Sequence, residues 1–209
     1  MVFRLNKELV FPDPSLAEPD GLLAIGGDLS PERLLLAYNN AIFPWPVEGQ
    51  PLLWFSPHER FVLFPSKLSV STSMRKLLRK HVFEITTNNA FQEVIRACAK
   101  TKRKKQRGTW ITADMEEAYT RLHLLGAAHS VETWLGGKLA GGMYGVDCGR
   151  VFCGESMFSL ENNASKVALI SFVENNQYAL IDCQVHTAHL ESLGAEMISR
   201  GEYLRYLHP

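Results

Sequence analysis

The chain has 209 residues, 46% hydrophobic and 21% charged, the composition of an ordinary globular protein rather than a disordered or fibrous one. Lys plus Arg and Asp plus Glu are each 22, so net charge says nothing about partners and any electrostatic footprint must be local. No apolar run approaches the ~20 residues of a membrane span, and the opening MVFRLNKELVFPDP lacks a secretory signal, so a cytoplasmic protein without membrane contact is expected.

Most of the ten prolines fall in the first ~60 residues, where turns and loops are expected. One helix is clear there, with Ser30 as N-cap and Pro31 at the first helical position ahead of ERLLLAYNN. The preceding GLLAIGGDLS lacks the Lys-Ser/Thr of a P-loop and the GxGxxG of a dinucleotide fold, so Gly26-Gly27 reads as a turn. AIFPWPVEGQPLLWFSPHER, with Trp45, Trp54 and Phe55, reads as too interrupted for regular structure, an aromatic surface laid against something else. A small N-terminal domain, 1–58, is expected to end there.

From Glu59 strands alternate with helices, which sets a second domain at 59–209. VFEITTN alternates as a strand, FQEVIRACAK has helical spacing, and Thr112 caps a helix that stops near Gly126. HSVETWL, KLAGGMYGV and RVFCGESMF follow as strands joined by turns at Gly136-Gly137 and Asp147-Cys148-Gly149. NASKVALISFVENN is then a helix and ALIDCQ a strand, and a short helix and strand close the chain. Consecutive hairpins with interspersed helices predict an α+β fold, its sheet mixed but mostly antiparallel.

Three stretches carry chemistry. KTKRKKQR, 100–107, has six cations in eight positions and is followed closely by Trp110. It reads either as a solvated helix end or as cations for phosphates beside an aromatic plate for a base. In GGMYGVDCGRVFCGESMFS the glycines permit close backbone approach, and Glu155 stands inside an apolar strand. An unpaired carboxylate there costs several kcal/mol, on the order of a buried-ion penalty, so Glu155 needs a partner, Lys166 or a ligand. In YALIDCQVH, strand alternation puts Asp182 and Gln184 on one face and Cys183 behind the sheet, which argues against a cysteine nucleophile. The pair reads as a cap for the next helix or as a reactive site. Cys98, Cys148, Cys153 and Cys183 show no CxxC pairing; free thiols are expected, and no metal.

In order along the chain, GLLAIGGDLSPERLLLAY, IFPW, LLWFSPHER, GTWI, AHSVETW, GGMYGV, FCGESMFS, NASKVAL and LIDCQ resemble a bacterial leucyl/phenylalanyl-tRNA–protein transferase. The resemblance covers nearly the whole chain. It implies a small N-terminal domain followed by a GNAT-like acyltransferase domain. The implied activity is transfer of Leu or Phe, less well Met, from aminoacyl-tRNA to the N-terminal Arg or Lys of acceptor proteins, marking them for degradation. By the same resemblance Trp110 would lie near the terminal adenosine, and Met143, Phe152, Phe172 and Ile181 around the amino-acid side chain. Glu155 and Trp45 would bind the aminoacyl end, and Asp182 with Gln184 would form the catalytic pair. Phosphate contacts by Lys102, Arg103, Lys104 and Lys105 are an expectation from the basic run alone.

The alternatives are a coenzyme A-dependent GNAT N-acetyltransferase and a non-catalytic tRNA-binding module. The chain lacks the R/QxxGxG/A turn that presents a helix N-terminus to a pyrophosphate, which disfavours coenzyme A. An aminoacyl ester is already activated, so no cofactor is expected. A Gln carbonyl would accept a hydrogen bond from the attacking amine, with Asp orienting that Gln or receiving the proton through it, or with the tRNA 2′-hydroxyl as the shuttle.

Overall fold

The computed structural model describes residues 2–47, 49–101 and 111–208. In chain order its elements begin with β1 (Phe3–Leu5), β2 (Leu22–Gly26), α1 (Pro31–Asn39), β3 (Phe43–Trp45) and β4 (Leu53–Phe55). β5 (Glu59–Leu63), α2 (Thr72–Arg79), β6 (Glu84–Thr87), α3 (Phe91–Lys100) and α4 (Ala113–Leu124) follow. β7 (Ala128–Leu135), β8 (Lys138–Cys148), β9 (Val151–Ser159) and α5 (Ala164–Asn175) form the centre. β10 (Leu180–Gln184), α6 (Ala188–Glu191), β11 (Glu196–Ser199) and α7 (Arg200–Leu207) complete the order.

The local signals explain most of these elements. Thr112 Oγ1 accepts the Met115 amide at the start of α4, acidic residues occupy its first turn, and Gly126 ends it at φ 78°. Gly136 and Gly137 both have positive φ, which a two-residue hairpin loop needs to match strand twist. At Gly141 a side chain would lie 2.6 Å from Ala164, so the bare backbone lets α5 settle on β8.

The strands form a four-stranded sheet, β1-β2-β4-β3, and a seven-stranded one, β11-β5-β10-β9-β8-β7-β6. The larger is antiparallel throughout except for the β9–β10 pair. One of its faces shares an apolar cluster with α1, α3, α4, α7 and the small sheet. A second cluster, with α2, α5 and α6, covers the other face.

Three expectations need correction. The stretch taken as irregular contains β3 and β4, and Trp54 is wholly buried, its Nε1 donating to the Gly26 carbonyl at 2.8 Å. Proline at Pro44 is tolerated because β3 is the edge of its sheet. The turn between β8 and β9 is only Gly149-Arg150, since Asp147 and Cys148 still pair within the hairpin. Finally, α2 and α7 were not anticipated; both are rich in charged residues and bury one side chain each, Met74 and Tyr203.

Candidate active site

Strand β10 pairs in parallel with β9 as far as Asp182–Cys153, while its pairing with β5 shifts register between Asp182 and Gln184. At this irregularity Gln184 takes φ 60°, a left-handed conformation costing a non-glycine residue on the order of 1–3 kcal/mol. Its amide donates to Asp182 Oδ1 at 2.8 Å, which holds the bend.

Asp182 is fully buried and fully engaged. Arg60 reaches both of its oxygens, Nε donating to Oδ1 at 3.3 Å and Nη2 to Oδ2. Tyr203 also donates to Oδ2, at 2.9 Å. Arg60 is itself buried, lies 4.8 Å from the Phe43 ring and 4.6 Å from the Tyr203 ring, and donates to the Ala41 carbonyl at 2.9 Å. Burial opposes its charge, but the Asp182 carboxylate outweighs that and raises the guanidinium pKa.

Among the described residues, the hydrogen-bond donors of Glu155 are neutral. Gln184 Nε2 donates to Oε1 at 2.7 Å and Tyr119 to Oε2 at 3.1 Å, and a short hydrogen bond links Tyr119 to Tyr38 of α1. Burial pushes the Glu155 carboxyl up to about 7, against the lowering effect of its tyrosine and glutamine donors. Burial likewise raises the hydroxyls of Tyr38 and Tyr119 well above their ordinary value.

Where the β9–β10 pairing stops, the strands part around a cavity of about 370 Å³. Met143, Met157, Leu169, Ile181 and Leu190 give it apolar walls, and Glu155, Asp182 and Gln184 give it a polar edge. Trp45 reaches it from the small sheet. Six of the residues singled out in the sequence (Trp45, Met143, Glu155, Ile181, Asp182, Gln184) therefore meet at one cavity. Phe152 and Phe172 lie 4.3 Å apart in the apolar cluster beside it and are not among its lining residues. Lys102, Arg103, Lys104, Lys105 and Trp110 lie outside the described residues.

Lys166 does not serve Glu155. It sits on α5, on the opposite face of the sheet from Tyr119, and lines a separate groove with Ser71, Lys76, Lys80 and Asn163. Nor do Asp182 and Gln184 cap α6, whose N-cap is Thr187, its hydroxyl accepting from the Leu190 amide at 3.2 Å. Cys183 borders the cavity half-buried rather than lying wholly behind the sheet, because the bend at Gln184 opens that edge. Burial and the Asp182 charge push its thiol far up, so it is no ready nucleophile.

Arg60, Tyr203, Tyr119 and Tyr38 escaped the sequence reading. Arg60, a cation leading into the apolar run FVLF, carried the same signal that exposed Glu155. The tyrosines carried none, since a tyrosine on a helix face reads as core.

A family model described as leucyl/phenylalanyl-tRNA protein transferase matches residues 62–208, and one for the N-terminal domain of that transferase matches 27–58. A leucyl/phenylalanyl-tRNA–protein transferase of Syntrophobacter fumaroxidans is 57% identical, over 99% of this chain and 89% of its own. Its namesake in Flavobacterium psychrophilum is 54% identical, over 97% and 98% of the two chains. That of Desulfatibacillum aliphaticivorans is 53% identical, over 99% and 90%.

Proposed function

This chain belongs to the leucyl/phenylalanyl-tRNA–protein transferase family, and from that premise we propose how its cavity moves Leu or Phe from an aminoacyl-tRNA to the N-terminal Arg or Lys of an acceptor protein. Met is the poorer donor residue. The observation that carries the proposal is the cavity itself, apolar on its walls and edged by Glu155 and Gln184 where two strands part.

The donor's side chain enters between Met143, Met157, Leu169 and Ile181, which leaves its ester carbonyl at the polar edge. An ionised Glu155 only accepts hydrogen bonds, so it takes the amide NH₂ of Gln184 and turns that residue's Oε1 away from itself. Oε1 accepts no hydrogen bond among the described residues, and it is the acceptor that orients the attacking amine. Asp182 acts through Gln184's main chain, as a positioning residue rather than a base. Holding amine and ester together supplies several kcal/mol of the barrier without a covalent intermediate.

The tRNA needs cations beyond the cavity. Lys76, Lys80 and Lys166 line a groove of about 360 Å³ at the mouth of α5 and offer charge to its phosphates. The run Lys102, Arg103, Lys104 and Lys105 and the aromatic Trp110 are assigned to the same partner, for phosphates and the terminal base. The deciding experiment is transfer of labelled Leu from leucyl-tRNA to a peptide beginning with Arg, with a peptide beginning with Ala as control. Label on the Arg peptide alone is expected; absence of transfer, or equal labelling of both, would overturn the reading.

A further inference from the structure

The α-amino group of an acceptor protein is largely an ammonium at neutral pH, and it must shed a proton before its lone pair can attack. Two carboxylates border the cavity, and their surroundings assign them different tasks. Asp182 accepts four hydrogen bonds, two of them from the buried guanidinium of Arg60. Protonating it would leave that guanidinium uncompensated in the interior and release the bend at Gln184. Among the described residues Glu155 accepts hydrogen bonds from neutral donors, Gln184, Tyr119 and Tyr38, and it stands beside the Gln184 amide that orients the amine.

We propose that Glu155, rather than Asp182, is the general base that takes the proton from the incoming α-ammonium. The step rests on the transferase reading given above. The N–H bond breaks and its proton passes to Glu155, and the freed nitrogen lone pair forms a bond to the ester carbonyl carbon. The bond from that carbon to the tRNA ribose oxygen then breaks. A second proton moves from nitrogen to the departing oxygen, and Glu155 returns its own proton to water.

The groups around Glu155 tune it for this. Tyr119 from α4 and Tyr38 from α1 supply neutral hydroxyls, Tyr144 of β8 stands behind Tyr119, and Asp182 and Gln184 come from β10, with Arg60 of β5 screened behind Asp182. Burial places the Glu155 carboxyl at about 7, near the working pH, where a base both exists in its charged form and holds a proton well.

The test is single-turnover transfer of Leu from leucyl-tRNA to an Arg-initiated peptide between pH 6 and 9, with wild type, Glu155→Gln, Asp182→Asn and Tyr119→Phe. Wild-type transfer establishes the activity itself, so its absence sinks the transferase reading and not this assignment alone. Glu155→Gln is expected to lose about 10²-fold at pH 6.5 and to recover as rising pH supplies free amine. Tyr119→Phe keeps the carboxylate but removes one donor, so the acid limb of its rate profile should move to higher pH. A Glu155→Gln deficit that is constant with pH, or near-normal transfer at pH 6.5, overturns the proposal. Should Glu155→Gln not fold, an unshifted acid limb in Tyr119→Phe overturns it as well.

Discussion

Arg60 and Asp182, 122 positions apart in the chain, clasp each other in the interior, with the guanidinium bonded to both carboxylate oxygens. Neither side chain is open to water, and Tyr203 and the Ala41 carbonyl take up further hydrogen-bonding capacity of the pair. Breaking such a pair from one side leaves a buried charge alone. Asp182→Asn should therefore cost about 3–5 kcal/mol of stability, seen as a fall in the urea midpoint at unchanged slope. Replacing both partners together, Arg60→Met with Asp182→Asn, should restore part of that loss; a loss below about 1 kcal/mol for Asp182→Asn alone would contradict the pairing.

Gln184 separates conformation from chemistry. Gln184→Gly suits φ 60° and should be about 1 kcal/mol more stable than Gln184→Ala in thermal melts. On the proposed role of Gln184, both should lower kcat by about 10²-fold with little change in donor KM, because both would remove the amide assigned to orient the amine. Adding Asp182→Asn to Gln184→Ala should do little more to kcat than the worse single change, since the residues act as one unit. Equal and near-normal turnover of the Gly and Ala variants would strip Gln184 of its role.

Donor choice follows from the apolar walls. Met143, Met157, Leu169 and Ile181 should admit Leu, Phe and Met while disfavouring β-branched Ile and Val by ~10–200-fold in kcat/KM. Competition between charged tRNAs carrying each residue measures this directly. Equal transfer of Ile and Leu would show that the donor side chain sits elsewhere.

Charge neutralisation at Lys76, Lys80 and Lys166, or separately at Lys102, Arg103, Lys104 and Lys105, should weaken tRNA binding and flatten its dependence on salt. A slope that is unchanged in either set assigns those cations to solvent.

Glu155 also sets a pH dependence of stability. Its carboxyl titrates at about 7 in the folded chain against an ordinary 4.5, so the folded state binds more protons in between. Stability from this group is thus fully present below about 4.5 and lost as pH rises toward 7, the reverse of a salt-bridged carboxylate. Over that window Glu155→Gln should flatten the decline of Tm that wild type shows; identical Tm profiles would place the carboxyl at its ordinary value.

Much of the fold is legible in the sequence because local physics dictates it. Ser30-Pro31 and Thr112 start helices, Gly136-Gly137 turns a hairpin, and the alternation of VFEITTN marks the strand β6. The site's cavity residues were legible for a different reason: Glu155, Asp182 and Gln184 are polar groups in apolar strands, and burying them without a purpose would be costly.

Their assignments were not legible, because each depends on contacts that only the folded chain makes. Sequence alternation puts Asp182 and Gln184 side by side as equals. Tertiary structure brings Arg60 and Tyr203 to one and Glu155 to the other. Lys166, eleven residues from Glu155 in the numbering, is turned to the far face of the sheet, whereas Tyr119 and Tyr38 arrive from helices α4 and α1. Proximity in sequence fixes backbone conformation through nearby hydrogen bonds and sterics, but the charge state of a buried carboxylate is decided by which distant donors the packed core sets against it.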